Sequence, residues 1–159
     1  MTTQEQAFLD MIAWSEMGPD ILRQSDNGYN ILAGSLPSMV LTFSSYHRHP
    51  GALIDMDGKT GGLESTAAGR YQVLSRIYYH YKRQLVLPDF SPASQDKIAM
   101  QLIKECRAMD DINAGRITSA IHRVRSRWAS LPGAGYGQHE QKLVNLLREF
   151  SMAGGTINQ

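Results

Sequence analysis

Glycine and proline placement constrains this chain most. Between residues 20 and 65, Gly28, Gly34, Pro37, Pro50, Gly51, Gly58, Gly61 and Gly62 interrupt the apolar runs every few residues. No helix of ordinary length survives that punctuation. The pieces left over, 29–33, 39–43 and 53–56, are short strand candidates, so this stretch predicts a small antiparallel sheet with long turns. On either side the apolar period becomes helical. Phe8, Leu9, Ile12 and Ala13 share one stripe of a helix over 4–16, which Gly18 and Pro19 should stop. Beyond Thr66 the spacing predicts a helix over 67–85, with Tyr71, Leu74, Tyr78 and Tyr81 in register and Pro88 as the breaker. Ser91 and Pro92 then read as an N-cap and first helical residue, opening a helix to about Arg107 with Ile98, Leu102 and Ile103 inward. After a turn over 109–114 come a helix over 118–131, built on Ile121, Val124 and Trp128, and a last one over 138–152, ended by Gly154 and Gly155. The expected class is α+β: a β-rich flap over about 20–65, beside a mainly helical lobe formed by 66–159 and the N-terminal helix. At 159 residues and 42% hydrophobic content the chain is expected to be one domain, 1–159, with a core that needs no staple.

Composition removes several function classes. A single cysteine, Cys106, forbids an intramolecular disulfide and a Cys-rich zinc site, and its helical surroundings predict burial. The net charge of +1 excludes a supercharged nucleic-acid coat. The charge is uneven, with 5 basic and 8 acidic residues in 1–79 against 11 and 7 in 80–159. Arg123, Arg125 and Arg127 in HRVRSR could contact phosphates, but a solvated helix face is the simpler reading. The first residues lack the basic start and unbroken apolar run of a secretory signal, and no stretch approaches a membrane span, so synthesis in the cytosol is expected. His47 and His49 form an HxH pair, yet no third ligand is indicated by spacing; two exposed loop histidines are expected, with no metal and no cofactor.

Chemistry concentrates at three places. Glu16 ends the first predicted helix beside Trp14 and Met17, where the helix dipole and apolar neighbours should both raise its proton affinity, as a general acid requires. An exposed, silent glutamate is the plainer alternative. For a second carboxylate, Asp20, Asp26, Asp55, Asp57 and Glu64 are available, and none is singled out by spacing. The stretch 65–72, STAAGRYQ, offers small residues followed by Arg70, Tyr71 and Gln72; a flat ring beside an amide suits a sugar. The loop 131–138, LPGAGYGQ, sets three glycines around Ala134 and Tyr136 and ends on Gln138; it reads equally as a connector or as the lip of a site.

Five segments in order, AFLDMIAWSE (7–16), DNGYNILAG (26–34), STAAGRYQVLSR (65–76), DFSPASQD (89–96) and WASLPGAGYGQ (128–138), closely resemble the phage lambda endolysin family. The resemblance implies a lysozyme-like fold and cleavage of the glycosidic bond between N-acetylmuramic acid and N-acetylglucosamine in peptidoglycan. It implies a lytic transglycosylase that leaves a 1,6-anhydro sugar. Glu16, at the end of the AWSE motif, would act first as acid and then as base, with the substrate N-acetyl group stabilising the positive charge. Tyr71, Gln72, Tyr136, Asn30, Arg70 and Gln138 fall in matching motifs and become the binding candidates. Where the family is expected to show GYD this chain has Gly28-Tyr29-Asn30, and Asn30 can hydrogen-bond a sugar but not act as a base. The segment 49–65 diverges. The implied partners are peptidoglycan strands and a holin that releases a monomeric enzyme from the host cytoplasm into the periplasm, with no stable nucleic-acid or membrane partner. A muramidase that uses water, and a non-catalytic wall- or nucleic-acid-binding module, are the alternatives.

Overall fold

The computed structural model describes residues 1–57 and 62–158. Its elements in chain order are α1 (Thr3–Arg23), β1 (Ile54–Asp55), β2 (Glu64–Ser65), α2 (Ser75–Gln84), α3 (Pro92–Glu105), α4 (Met109–Asn113), α5 (Ile117–Val124) and α6 (Leu143–Met152). The chain forms two compact units: Met1–Glu16 with Ala99–Gln159, and Met17–Ile98.

In the first unit the predicted stripe of α1 is buried, with Phe8, Leu9, Ile12 and Ala13 fully inaccessible. They share the interior with Ile103, Ile112, Ile117, Ile121, Val124, Leu131, Leu146 and Phe150, and Phe8 meets Phe150 edge to face at 6.5 Å between ring centroids. Cys106, expected to be buried, is only partly so, because α3 ends at Glu105. The turn expected over 109–114 is the short helix α4. Its Asp111 is 6% exposed and accepts bonds from Arg116 Nε (2.8 Å), Ser119 Oγ (2.7 Å) and Arg123 Nε (2.7 Å). These donors hold the Asp111 carboxyl down at about 2. Asp111→Asn is expected to cost about 2 kcal/mol at neutral pH, the figure reduced because both arginines are half-exposed. Since the folded-state value is depressed, this stability is present above the ordinary 3.8 and lost as pH falls toward about 2. Urea unfolding at neutral and at acid pH checks both statements; the two proteins should converge in acid.

The second unit corrects several expectations. Segments 29–33 and 39–43 are not regular strands: an isolated antiparallel bridge joins Ile31 to Thr42, while Leu36 bridges to Met39 and Leu32 to Ala68. Ser35 replaces ladder bonds, its Oγ accepting the Leu41 N–H at 2.9 Å and approaching the Leu32 carbonyl at 3.0 Å. The only regular pairing among the described residues is β1 with β2, antiparallel, with Ile54 opposite Ser65 and Asp55 opposite Glu64. Gly58 and Gly61 lie outside the described residues. The helix expected over 67–85 starts eight residues late. Gly69 (φ 79°) and Gln72 (φ 50°) are left-handed, which a right-handed helix cannot propagate, and Ala68 pairs with Val73 across a tight turn instead. Thr66 Oγ1 then accepts the Ser75 N–H at 3.1 Å where α2 begins. At the start of α3 Ser91 takes the cap position before Pro92, its carbonyl accepting the Gln95 N–H at 2.9 Å, while Asp89 Oδ1 accepts the Ser91 N–H (3.0 Å) and the Ser94 hydroxyl (3.0 Å).

His49 also departs from expectation. It is 2% exposed, 4.8 Å from the Phe90 ring and stacked on Tyr78 at 5.6 Å. The Gly51 N–H donates to Nδ1 (3.0 Å), so Nε2 carries the hydrogen that reaches the Val73 carbonyl (2.7 Å). Burial lowers its proton affinity, and with both nitrogens occupied it is a core residue. No helix of the described residues is long and apolar enough to cross a membrane.

Candidate active site

Glu16 lies two residues before the break in α1. Gly18 there adopts φ 75° and ψ 167°, so helical turns resume at Pro19 instead of ending, contrary to the expected stop. The Glu16 side chain is partly buried. Its Oε1 accepts the Ser130 hydroxyl at 2.6 Å, and the Ser130 backbone also hydrogen-bonds the carboxyl. Burial raises its proton affinity above the ordinary carboxyl value, and the Ser130 bonds oppose that rise without cancelling it. The direction agrees with the sequence reading, and the loss of water that apolar surroundings impose is its main cause.

Behind this pair sits Ser15. Its Oγ is 2.8 Å from the Ser130 Oγ, and the side chain is 4% exposed. The Gln141 N–H donates to the Ser130 carbonyl at 2.7 Å, tying the residue that contacts Glu16 to the end of the following loop. That loop belongs to the same unit. Gly133, Gly135 and Gly137 all have φ between 73° and 78°, conformations that glycine takes without cost. Glu140 clamps the loop, its two oxygens accepting the Gly133 N–H (2.9 Å) and Gly135 N–H (3.0 Å). These bonds keep 138–142 out of α6, which starts at Leu143 instead of 138. Tyr136 is 57% exposed and anchored by its hydroxyl, which donates to the Ser126 carbonyl at 2.7 Å, so the ring face is open. Gln138 is exposed.

The other candidates belong to the second unit, and here the binding reading is corrected for two of them. Tyr71 is 1% exposed, its ring edge-on to Tyr29 at 6.5 Å. Its hydroxyl donates to Asp96 Oδ1 at 2.6 Å, and that of Tyr29 donates to the same oxygen at 2.9 Å. Burial and the Asp96 charge push the Tyr29 hydroxyl up to about 12 and Tyr71 further in the same direction. Arg70 is 3% exposed; its guanidinium lies 5.3 Å from the Tyr29 centroid and 6.0 Å from that of Tyr71, and Nη1 donates to the Asn27 carbonyl at 2.6 Å. A buried ring offers no face to a sugar, and Arg70 is equally enclosed, its guanidinium set against the two rings and the Asn27 carbonyl. Their neighbours are more open. Gln72 is partly buried, its amide nitrogen donating to the Gly69 carbonyl at 2.9 Å. Asn30, also partly buried, uses Oδ1 to accept the Asp26 N–H at 2.9 Å and closes the turn 26–30.

Sequence reasoning did not single out Ser15, Ser130, Asp96 or Glu140. Ser130 stands inside a matching motif, but nothing in one dimension shows a bond to a residue 114 positions away. The arginine run is largely committed within the chain: Arg123 to Asp111, Arg127 to Glu105 (3.1 Å), and Arg125 to the His122 carbonyl (2.6 Å).

Comparison with known proteins places the chain in a family. The endolysin family profile matches residues 6–157. The endolysin of Escherichia phage lambda is 47% identical over 161 residues, covering all of this chain and 96% of its own. That of Escherichia phage P2 is 47% identical over 155 residues, covering 94% and 92%. Among solved structures, bacteriophage lambda lysozyme complexed with a chitohexasaccharide superposes with a TM-score of 0.90 at 48% identity, over 99% of this chain and 98% of that one. The fold is therefore α+β and lysozyme-like, and the chain belongs to the endolysin family.

Proposed function

We propose that this endolysin cleaves the β-1,4 bond between N-acetylmuramic acid and N-acetylglucosamine in peptidoglycan, as a lytic transglycosylase with Glu16 as its acid and base. The observation that carries the reading is the Glu16 carboxyl, which burial keeps more basic than an exposed carboxylate and Ser130 holds through its hydroxyl and backbone. In the first step the protonated carboxyl gives its proton to the glycosidic oxygen, the bond to the muramic-acid anomeric carbon breaks, and N-acetylglucosamine leaves as the alcohol. In the second, the muramic-acid C6 hydroxyl oxygen attacks that carbon while the Glu16 carboxylate takes the hydroxyl proton. The 1,6-anhydro ring closes and Glu16 returns to its starting state. The nucleophile comes from the sugar, so the scheme needs no second carboxylate and no metal. The complex of lambda lysozyme with a chitohexasaccharide supports a glycan as ligand. Tyr136, exposed and anchored at its hydroxyl, is our choice for a stacking residue, with Gln138 of the same unit as a polar contact. Gln72 and Asn30 are our choices for glycan contacts in the second unit, taken by itself. We also propose that a monomer accumulates in the host cytoplasm and acts in the periplasm after a holin releases it.

Mass spectrometry of digested peptidoglycan tests the reaction type. The expected products are anhydro-muropeptides, lighter by one water than the products of hydrolysis. Reducing ends alone would overturn the transglycosylase reading in favour of a water-using muramidase.

A further inference from the structure

We propose that Ser130, backed by Ser15, is a positioning residue that holds the Glu16 carboxyl and sets how readily its working proton leaves. The inference rests on the catalytic reading of Glu16. The hydroxyl of Ser130 has one hydrogen, and the 2.6 Å contact spends it on Glu16 Oε1. Ser15 Oγ, 2.8 Å from Ser130 Oγ, must then be the donor in the second contact. The three side chains form a directed chain in which Ser15 donates to Ser130 and Ser130 to Glu16. Each bond polarises the next.

Two consequences follow for the carboxyl. Oε1 is held as the acceptor of the Ser130 hydroxyl, and the Ser130 backbone bond to the same carboxyl adds to that hold. The chain also strengthens as Glu16 ionises, because a hydroxyl bond to a carboxylate is stronger than one to a neutral acid. Ser130 thus stabilises the carboxylate that exists between the two chemical steps. It limits the rise that burial imposes on Glu16, and a proton held too tightly could not be given to the leaving oxygen. Ser15 is 4% exposed, so its hydroxyl has little access to water as an alternative partner, and pointing it at Ser130 uses that group productively.

The test uses the full chain. In the free protein, a carbon-13 titration of the Glu16 carboxyl, identified by its absence in Glu16→Gln, should give a midpoint raised by about one pH unit in Ser130→Ala, the loss expected for one charge-assisted bond. Ser15→Ala should shift it the same way by less. Ser130→Thr, which keeps a hydroxyl, should restore the parent midpoint. In wall digestion, Ser130→Ala should lower kcat about tenfold near the parent optimum with little change in KM, and should displace the pH profile toward higher pH. A Ser130→Ala protein that is folded by circular dichroism and whose Glu16 midpoint is unchanged would overturn the proposal, even if Glu16→Gln is inactive and the catalytic reading stands. A shifted midpoint together with full activity in Glu16→Gln would instead keep the hydrogen-bond chain and remove the catalytic reading on which its role depends.

Discussion

Glu16→Gln is expected to abolish lysis of permeabilised Gram-negative cells, with a rate loss on the order of 10³-fold or more, because in the proposed scheme one group both donates and accepts the proton. Glutamine keeps the size of the side chain and an oxygen that can accept the Ser130 hydroxyl, so the fold should be unchanged by circular dichroism. The same substitution should raise stability at neutral pH. Burial lifts the folded-state proton affinity of Glu16 above the ordinary 4.5. Such a group adds stability in its protonated form, fully present below the ordinary value and lost as pH rises through the folded-state value. At neutral pH the parent therefore bears the cost of a partly buried charge, and the neutral amide does not. Thermal unfolding of the two proteins should differ most at neutral pH and converge below the ordinary carboxyl value. A gap that does not change with pH would mean that burial of the charge is not its source. Retained lysis by the variant would remove Glu16 from the chemistry altogether.

The second large effect is on folding. Gly69→Ala is expected to cost about 3 to 4 kcal/mol, from left-handed strain and displacement of a buried hydrogen-bonding group. Gly69 has φ +79°, and a Cβ there would stand 2.2 Å from Gln95 Oε1 and 3.1 Å from Phe90 Cζ. Gln95 is fully buried and has nowhere to retreat. Its Oε1 accepts the Arg70 N–H (2.9 Å), while Nε2 donates to the carbonyls of Tyr29 (3.0 Å) and Phe90 (2.9 Å). Moving it would strand several buried groups at once. Gly135→Ala is the control: φ is +78° but nothing lies within 4 Å of the added carbon, so only the backbone strain of about 1 kcal/mol remains. Chemical denaturation of both variants separates the two causes. Equal losses would show that Gln95 moves freely and that the network around it holds little of the second unit's stability.

Sequence reading worked where a pattern is local. The stripe of α1 needs only its own spacing to declare a buried face, and Phe8, Leu9, Ile12 and Ala13 are all buried. The opening of α3 at Pro92 is similarly written in a few adjacent residues. It failed where local preference was overruled. The tyrosines of 67–85 have helical spacing, yet Gly69 and Gln72 turn left-handed because Gln95, from another part of the chain, holds the Arg70 N–H. His49 looks like a polar loop residue until Tyr78 and Phe90 close over it and both ring nitrogens find backbone partners.

The candidate site divides in the same way. Period, breakers and motif order are short-range properties of the chain, and they were enough for the α+β class and for the family resemblance, through which Glu16 became the candidate. The surroundings of that carboxyl are not short-range. A proton affinity depends on how much water is excluded and on which donors reach the group, and the donor here comes from Ser130 at the far end of the chain. The rings of Tyr71 and Tyr136 are chemically alike, and each follows a glycine within two residues in its motif. Folding buries one against Tyr29 and Asp96 and leaves the other open. Burial is a property of the packed molecule, so that choice between scaffold and binding surface had to wait for the three-dimensional arrangement.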